Sequence, residues 1–360
     1  GVLTGFLITG YYAVVSGWCL QYICASLLGH LNGDPDYIRS YFADFSQSPV
    51  KPILWTVAFL VITHTVIIRG VRRGIERASK MMMPTLFILL LIIVGASCML
   101  PGAGRGIEFL FRPDFSSVDR DVFLGALGQS FYSLSIAMGC ICTYASYFGR
   151  RTNLMRSAFQ IAAVDTLVAI LAGLMIFPAA FSVGISPDSG PSLIFITLPN
   201  VFREAFSAMP VVGYVISVLF YVLLALAALT STISMHEIGT AFFHEECHLP
   251  RRRAAWIVTG VTGAICVICS LSVGALPSLR VAGMSFMDAC DALTAQLLMP
   301  VGAFLTCLYV GWFAPHKTVR QELTNDGTLR NRFFHTYLFV VKYVCPVCIT
   351  MIFLHQLGII

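Results

Sequence analysis

Oxygen-bearing side chains stand in apolar surroundings at three places. The stretch Gln129-Ser130-Phe131-Tyr132-Ser133-Leu134-Ser135-Ile136-Ala137-Met138-Gly139-Cys140 puts one amide, three serines, an alanine and a glycine into a single apolar run. Ala227-Ala228-Leu229-Thr230-Ser231-Thr232 sets three hydroxyls side by side. Asp165 stands alone in Ala162-Ala163-Val164-Asp165-Thr166-Leu167. A polar group in hydrocarbon is costly, so it is usually paired or functional. Two readings stand for each cluster. The serine-rich stretch is either a surface for close helix packing, or a helix that breaks near residues 135–139 and turns its freed backbone groups towards a cavity, where they are tolerated. The three hydroxyls either bond back to the carbonyl one turn earlier, or join backbone carbonyls as hard oxygen ligands for a monovalent cation such as Na+. Asp165 is either a structural hydrogen-bond partner or the counter-charge of a cation. Tyr11-Tyr12, Glu237 and Asp291 add polar groups in or beside other apolar runs.

These residues need long apolar elements to hold them. The chain is 57% hydrophobic and 11% charged, against about 45–50% and about 25% in a soluble domain. One aqueous core cannot bury so much apolar surface, so lipid must be part of the solvent. A helix needs about 20 mainly apolar residues to cross a bilayer. Nine stretches qualify: 2–28, 53–68, 84–100, 122–147, 159–183, 211–243, 254–273, 285–313 and 333–354. The second and third are short and extend into their flanks. The reading is one transmembrane domain over residues 1–360, all-α and polytopic. No linker, Pro-rich tract or long charge run marks a soluble domain.

The connections alternate in charge. One set holds Arg69, Arg72, Arg73, Arg77 and Lys80, then Arg150, Arg151 and Arg156, then Arg251, Arg252 and Arg253, then Lys317, Arg320, Arg330 and Arg332. The other holds Arg39 and Lys51, then Arg105, Arg112 and Arg120, then Arg203, then Arg280. The positive-inside rule puts the first set in the cytoplasm and the C-terminus outside. It also accounts for the net charge of +5 without a nucleic-acid partner. On the outer side, a turn at Pro187-Asp188-Ser189-Gly190-Pro191 and an amphipathic run over 195–206 predict a short helix folded over that face.

The remaining chemistry is bland. Most of the twelve cysteines lie in apolar runs, including the pair Cys266/Cys269, and free cysteine is a small buried residue by preference. There is no HExxH, no paired histidine and no Ser/His/Asp set, so the chain does not read as an enzyme. The eight histidines are scattered, with His236 alone well inside a long span.

Taken together, the motifs resemble the neurotransmitter:sodium symporter family, specifically its bacterial amino-acid branch. The resemblance runs from Tyr11-Tyr12 to the last span. Its strongest segments are Arg69-Gly70-Val71-Arg72-Arg73-Gly74-Ile75-Glu76-Arg77, Pro84-Thr85-Leu86-Phe87, Phe111-Arg112-Pro113-Asp114-Phe115, Thr143-Tyr144-Ala145-Ser146-Tyr147, Phe195-Ile196-Thr197-Leu198-Pro199 and Leu229-Thr230-Ser231. It implies a LeuT-like inverted-repeat fold and sodium-coupled symport of a small neutral, hydrophobic amino acid in a bacterial cell membrane. The nine stretches correspond to the family's third to eleventh spans. The chain starts at Gly1 and enters an apolar run at once, so it reads as lacking the family's first two spans. The first of these is a broken helix that completes both sodium sites.

The resemblance also assigns roles. Ala227, Thr230 and Ser231 match the second sodium site, with Ala227 giving a carbonyl. Ser133 and Asp165 match the first. Many animal members need chloride there, and a carboxylate at Asp165 removes that need. Tyr12 matches the tyrosine that meets the substrate carboxylate. Ile8, Tyr132, Ser133, Ser135, Met138, Ile233 and Met235 match the substrate pocket. Tyr132 departs from the commoner Phe, and Ala137 from a common Gly. Asp291 matches the outer gate, and Tyr147 and Glu245 the inner gate. Gly74 and Pro84, with nine residues between them, match a motif where a helix unwinds to admit water. The expected partners are amino acid, sodium and bilayer, and nothing in the residues sets an oligomeric state. Two rival readings are another broken-helix transporter and a transport-dead solute receptor.

Overall fold

A computed structural model describes residues 1–149, 152–184, 193–276, 278–281, 283–324 and 334–358. The predicted turn at 187–191, the basic residues Arg150, Arg151, Arg330 and Arg332, and the C-terminal Ile360 lie outside the described residues. Sixteen α-helices are described: α1 Val2–Leu27, α2 Pro35–Ser46, α3 Lys51–Ile67, α4 Arg77–Cys98, α5 Ala103–Phe111, α6 Arg120–Ser133, α7 Cys140–Ser146, α8 Leu154–Ser182, α9 Leu198–Ala205, α10 Pro210–Glu245, α11 Arg251–Val273, α12 Phe286–Ala292, α13 Met299–Leu308, α14 His316–Thr324, α15 Phe334–Phe339 and α16 Cys345–Gln356. A two-stranded antiparallel ribbon pairs Arg280 with Ser285 and Val281 with Met284.

Seven helical stretches are long and apolar enough to cross a membrane, or up to eight if α2 and α3, bent by 73°, form one span. Nine were expected, and the difference has two local causes. The second expected stretch is a helix of only 17 residues, Lys51–Ile67. The fourth is divided into α6 and α7, so neither piece reaches across alone. Large apolar residues such as Leu54, Val61, Ile88, Leu91, Phe159 and Val164 are exposed, as expected where lipid is the solvent.

Helix starts follow ordinary capping chemistry. The Asp34 carboxylate accepts from the Tyr37 N–H at 2.8 Å to begin α2, with Pro35 at its first position. Asp119 does the same for α6 through the Val122 N–H at 2.8 Å. In both cases an orphan donor of the first turn is satisfied.

Contacts divide the chain into two compact units. One comprises residues 1–5, 114–167 and 290–360, and the other 6–113 and 168–289. In the larger unit α10 packs on α4 and α11, and α11 on α3. Gly17 of α1 is needed there, because a Cβ would fall 2.7 Å from the Thr56 backbone nitrogen. Trp18 is ringed edge-on by Phe42, Phe45 and Phe195 at 5.5, 6.5 and 5.6 Å. The expected short helix over 195–206 is present as a π turn, Leu193–Thr197, followed by α9. Its apolar stripe, Phe195, Leu198, Val201, Phe202 and Phe206, is buried, and the spacing is that of one helix face. The Tyr22 and Tyr221 hydroxyls donate to the Phe195 and Ile194 carbonyls at 3.1 and 2.9 Å. In the smaller unit α13 packs along α16, and α16 on α6.

Candidate ion and substrate site

The helix of the fourth span does break where its serines and glycine cluster. α6 ends at Ser133 and α7 begins at Cys140. Ser135, Ala137 and Gly139 between them have φ of 54°, 64° and 99°. The Ser135 N–H donates to the Tyr132 carbonyl at 2.9 Å and the Ile136 N–H to the Phe131 carbonyl at 3.2 Å. This pair of bonds is the Schellman ending of a helix, with serine at the left-handed position that glycine usually fills. An L-residue in that conformation costs about 1–2 kcal/mol. Two such residues two positions apart, at 135 and 137, mark a turn that the surrounding structure imposes.

The break leaves Ser133 at the end of α6 facing α8. Its hydroxyl lies 2.9 and 2.8 Å from the two carboxylate oxygens of Asp165. The reading of Asp165 as a hydrogen-bond partner is the one this contact shows. The serine donates its proton to the carboxylate, so its own lone pairs and the remaining acceptor capacity of Asp165 stay available. Three oxygens bearing one negative charge form a site suited to a hard cation. Asp165 is half-buried and Ser133 exposed, so the group is reachable.

The hydroxyls of α10 bond back along their own helix. Thr230 donates to the Ala227 carbonyl at 2.8 Å, Thr232 to that of Ala228 at 2.8 Å, and the Ser234 hydroxyl to the Thr230 carbonyl at 3.1 Å. Such back-bonding is the bland role, yet it spends only the proton. A metal ligand needs a lone pair, and the Thr230 oxygen keeps one. Ser231 is exposed, while Thr232 is fully buried. Positions 227, 230 and 231 share one helix face by the i, i+3, i+4 rule, so Thr230 and Ser231 present oxygens on the same side as Ala227.

The other candidate residues fall as follows. On the larger unit Ile8, Ile233 and Met235 are buried core at 2%, 2% and 6% exposure, whereas Tyr12 is half-buried. On the smaller unit Met138 is buried, Ser135 half-buried and Tyr132 exposed. Asp291 is exposed near the end of α12, Tyr147 caps the end of α7, and Glu245 is the exposed last residue of α10. Gly74 is buried within a π-helical turn, Val71–Glu76. A Cβ there would collide with the Val66 carbonyl oxygen, so only glycine fits. The Ile75 N–H reaches back five residues to the Gly70 carbonyl at 3.2 Å. Pro84 lies inside α4, where it removes one ladder N–H. The segment 71–84 thus carries two defects in its helical ladder.

Two polar groupings join residues that the sequence did not pair. His64 and His236, read as scattered, share the Thr259 hydroxyl: His64 Nδ1 and His236 Nε2 each lie 2.8 Å from it. Glu237, fully buried, takes a bidentate pair from Arg251 at 2.8 and 2.6 Å. Both join residues distant in sequence on α3, α10 and α11, and no spacing rule reaches across helices.

The profile of the sodium:neurotransmitter symporter family matches residues 45–359. The uncharacterized sodium-dependent transporter YhdH of Bacillus subtilis is 35% identical over 100% of this chain and 79% of its own length. An uncharacterized sodium-dependent transporter of Haemophilus influenzae is 32% identical over 99% of this chain and 78% of its own. The crystal structure of MhsT in complex with L-phenylalanine superposes with a TM-score of 0.86 at 33% identity, covering 99% of this chain and 80% of that one. A polytopic helical architecture, a helix broken at a serine-rich turn and a family match over most of the sequence lead to one assignment: this chain belongs to the sodium:neurotransmitter symporter family.

Proposed function

We propose that this chain carries out sodium-coupled symport of a small neutral, hydrophobic amino acid by alternating access, as one membrane domain over residues 1–360 with its C-terminus outside. The observation that carries the reading is the Ser133–Asp165 contact at the helix break. It gathers oxygen ligands and a fixed negative charge beside an unwound segment, as transporters of this architecture do near the bilayer midplane. Asp165 and Ser133 contribute ligands to a first sodium site, and Ala227, Thr230 and Ser231 to a second, each completed by the broken helix that precedes these spans in the family. Tyr12 meets the substrate carboxylate. Tyr132, Ser135, Met138, Ile8, Ile233 and Met235 set the side-chain preference. Asp291 gates the outer path, Tyr147 and Glu245 the inner one, and the 74–84 segment unwinds to release the second sodium. Sodium binding favours one conformer and its departure the other, which is a population shift.

L-Phenylalanine in the MhsT complex supports an apolar amino acid as substrate, and methionine and aromatic side chains adapt to varied apolar shapes. The test is sodium-driven uptake in proteoliposomes with leucine, tryptophan, glutamate and lysine as competitors. Leucine or tryptophan is expected to compete, and preferential competition by glutamate or lysine would refute the pocket reading. The same vesicles test chloride. The Asp165 carboxylate supplies the charge that chloride provides in other members, so uptake is expected to be equal in gluconate and chloride media.

A further inference from the structure

Lys342 lies inside a membrane-spanning stretch, Phe334–Gln356. None of the four salt bridges among the described residues includes it. An ammonium at such a depth needs a counter-charge or a route to the interface. Its Nζ sits 4.1 Å from the Trp312 ring centroid and 5.7 Å from that of Tyr343. Trp312 is the penultimate residue of the span Phe286–Phe313, so the lysine stem runs along apolar surface and delivers its charge to the span's end. The two helices are built for this approach. Each passes through a π turn, Tyr309–Phe313 and Val340–Val344. Gly311 lets the other backbone come close, since a Cβ there would stand 3.0 Å from Lys342 Cα. The Trp312 Nε1–H points at the Lys342 carbonyl at 3.4 Å.

The cluster opens outward. Trp312 and Tyr343 are 53% and 46% exposed. Just beyond Trp312 the exposed Lys317 and Arg320 of α14 add positive charge. Deeper along the same helix pair lies an apolar groove of about 220 Å³, lined by Val301, Leu305, Ile349, Thr350 and Phe353. Leu305 is seven residues from Trp312 and Ile349 seven from Lys342, which is about 10 Å along a helix. Val301, Leu305 and Trp312 stand at i, i+4 and i+11 on one helix, and Lys342, Ile349 and Phe353 at i, i+7 and i+11 on the other. A cation at the interface, aromatic walls and an apolar slot beneath them match one kind of molecule, which carries a phosphate head and a hydrocarbon tail.

We propose that Lys342, held in place against Trp312 and Tyr343, binds the phosphate of an acidic phospholipid, with one acyl chain in the groove between α13 and α16. Basic pockets between transmembrane helices recognise acidic head groups in this way, at about 1 kcal/mol per lysine near the surface. The test is native mass spectrometry of the purified full chain in detergent, with phosphatidylglycerol and phosphatidylcholine of identical acyl chains offered together. Phosphatidylglycerol adducts are expected to dominate. Lys342→Gln should cut that preference about fivefold, and Lys342→Arg should keep it. Leu305→Trp, which fills the groove, should reduce adducts of both lipids. If Lys342→Gln does not elute as a single species, Trp312→Leu replaces it with the same expected loss. Unchanged preference in the lysine or tryptophan variant overturns the proposal. So does displacement of the lipid by millimolar inorganic phosphate, which would mark a site for free anions, or a second copy of the chain covering the face and excluding both lipids.

Discussion

Ser133 and Asp165 meet where a helix is broken, whereas Ala227, Thr230 and Ser231 lie on one that runs unbroken for 36 residues. The first cluster joins two elements and contains a full negative charge, with its serine held by two contacts of 2.9 and 2.8 Å. The second is local to α10 and neutral, and its threonine is fixed by its own backbone at 2.8 Å. A charged site made by a tertiary contact depends on the turn that positions it. A neutral site on a continuous helix is positioned by helix geometry alone. The two should therefore respond to substitution with different severity and by different routes.

The largest effect is expected at Asp165. Asp165→Asn keeps the shape and removes the charge. A hydrogen bond to a charged group is worth about 1.5–3 kcal/mol, so sodium-driven uptake should fall by roughly 10- to 100-fold, with partial chloride dependence appearing in its place. Uptake at the wild-type level in chloride-free medium would erase the distinction between the two clusters. Next comes Thr230→Val combined with Ser231→Ala. Two neutral ligands at about 1 kcal/mol each should raise the sodium concentration for half-maximal uptake by roughly tenfold or more, while membrane insertion stays intact. An unchanged sodium dependence in that variant would leave the α10 hydroxyls with only their back-bonding role. The smallest effect is on stability. Ala137 holds φ of 64°, so Ala137→Gly should relieve strain at some cost in chain entropy, for a net gain of about 0.5–1 kcal/mol. The thermal midpoint should rise by about 1–2 °C, and a fall would mean that the left-handed turn is not strained.

The break itself was legible, because serines, alanine and glycine gather where lipid-facing residues belong. That Ser135 and Ala137 take left-handed backbone was not, since neither type favours it. The amphipathic segment over 195–206 could be read from its spacing alone. The partnership of Ser133 with Asp165 came through family resemblance, and the structure supplies the distance. The sharing of Thr259 by His64 and His236 was invisible, because it joins three helices and rests on how their faces meet. The span count differed for a related reason. A hydropathy window sees apolar length, but α3 has only 17 residues and the fourth stretch is divided between α6 and α7.

The π turns have a consequence of another kind. Leu293–Leu298 and Val340–Val344 each lie within a membrane-spanning stretch with α-helix on both sides, and a π turn amounts to an α-helix with one residue inserted. Deleting one residue there lets the turn tighten to α and keeps both flanks in phase. Deleting one in α10 instead rotates everything beyond it by about 100°. These two places are therefore where the chain's length can change by one without loss of register, and where single-residue gaps against its relatives are expected to collect.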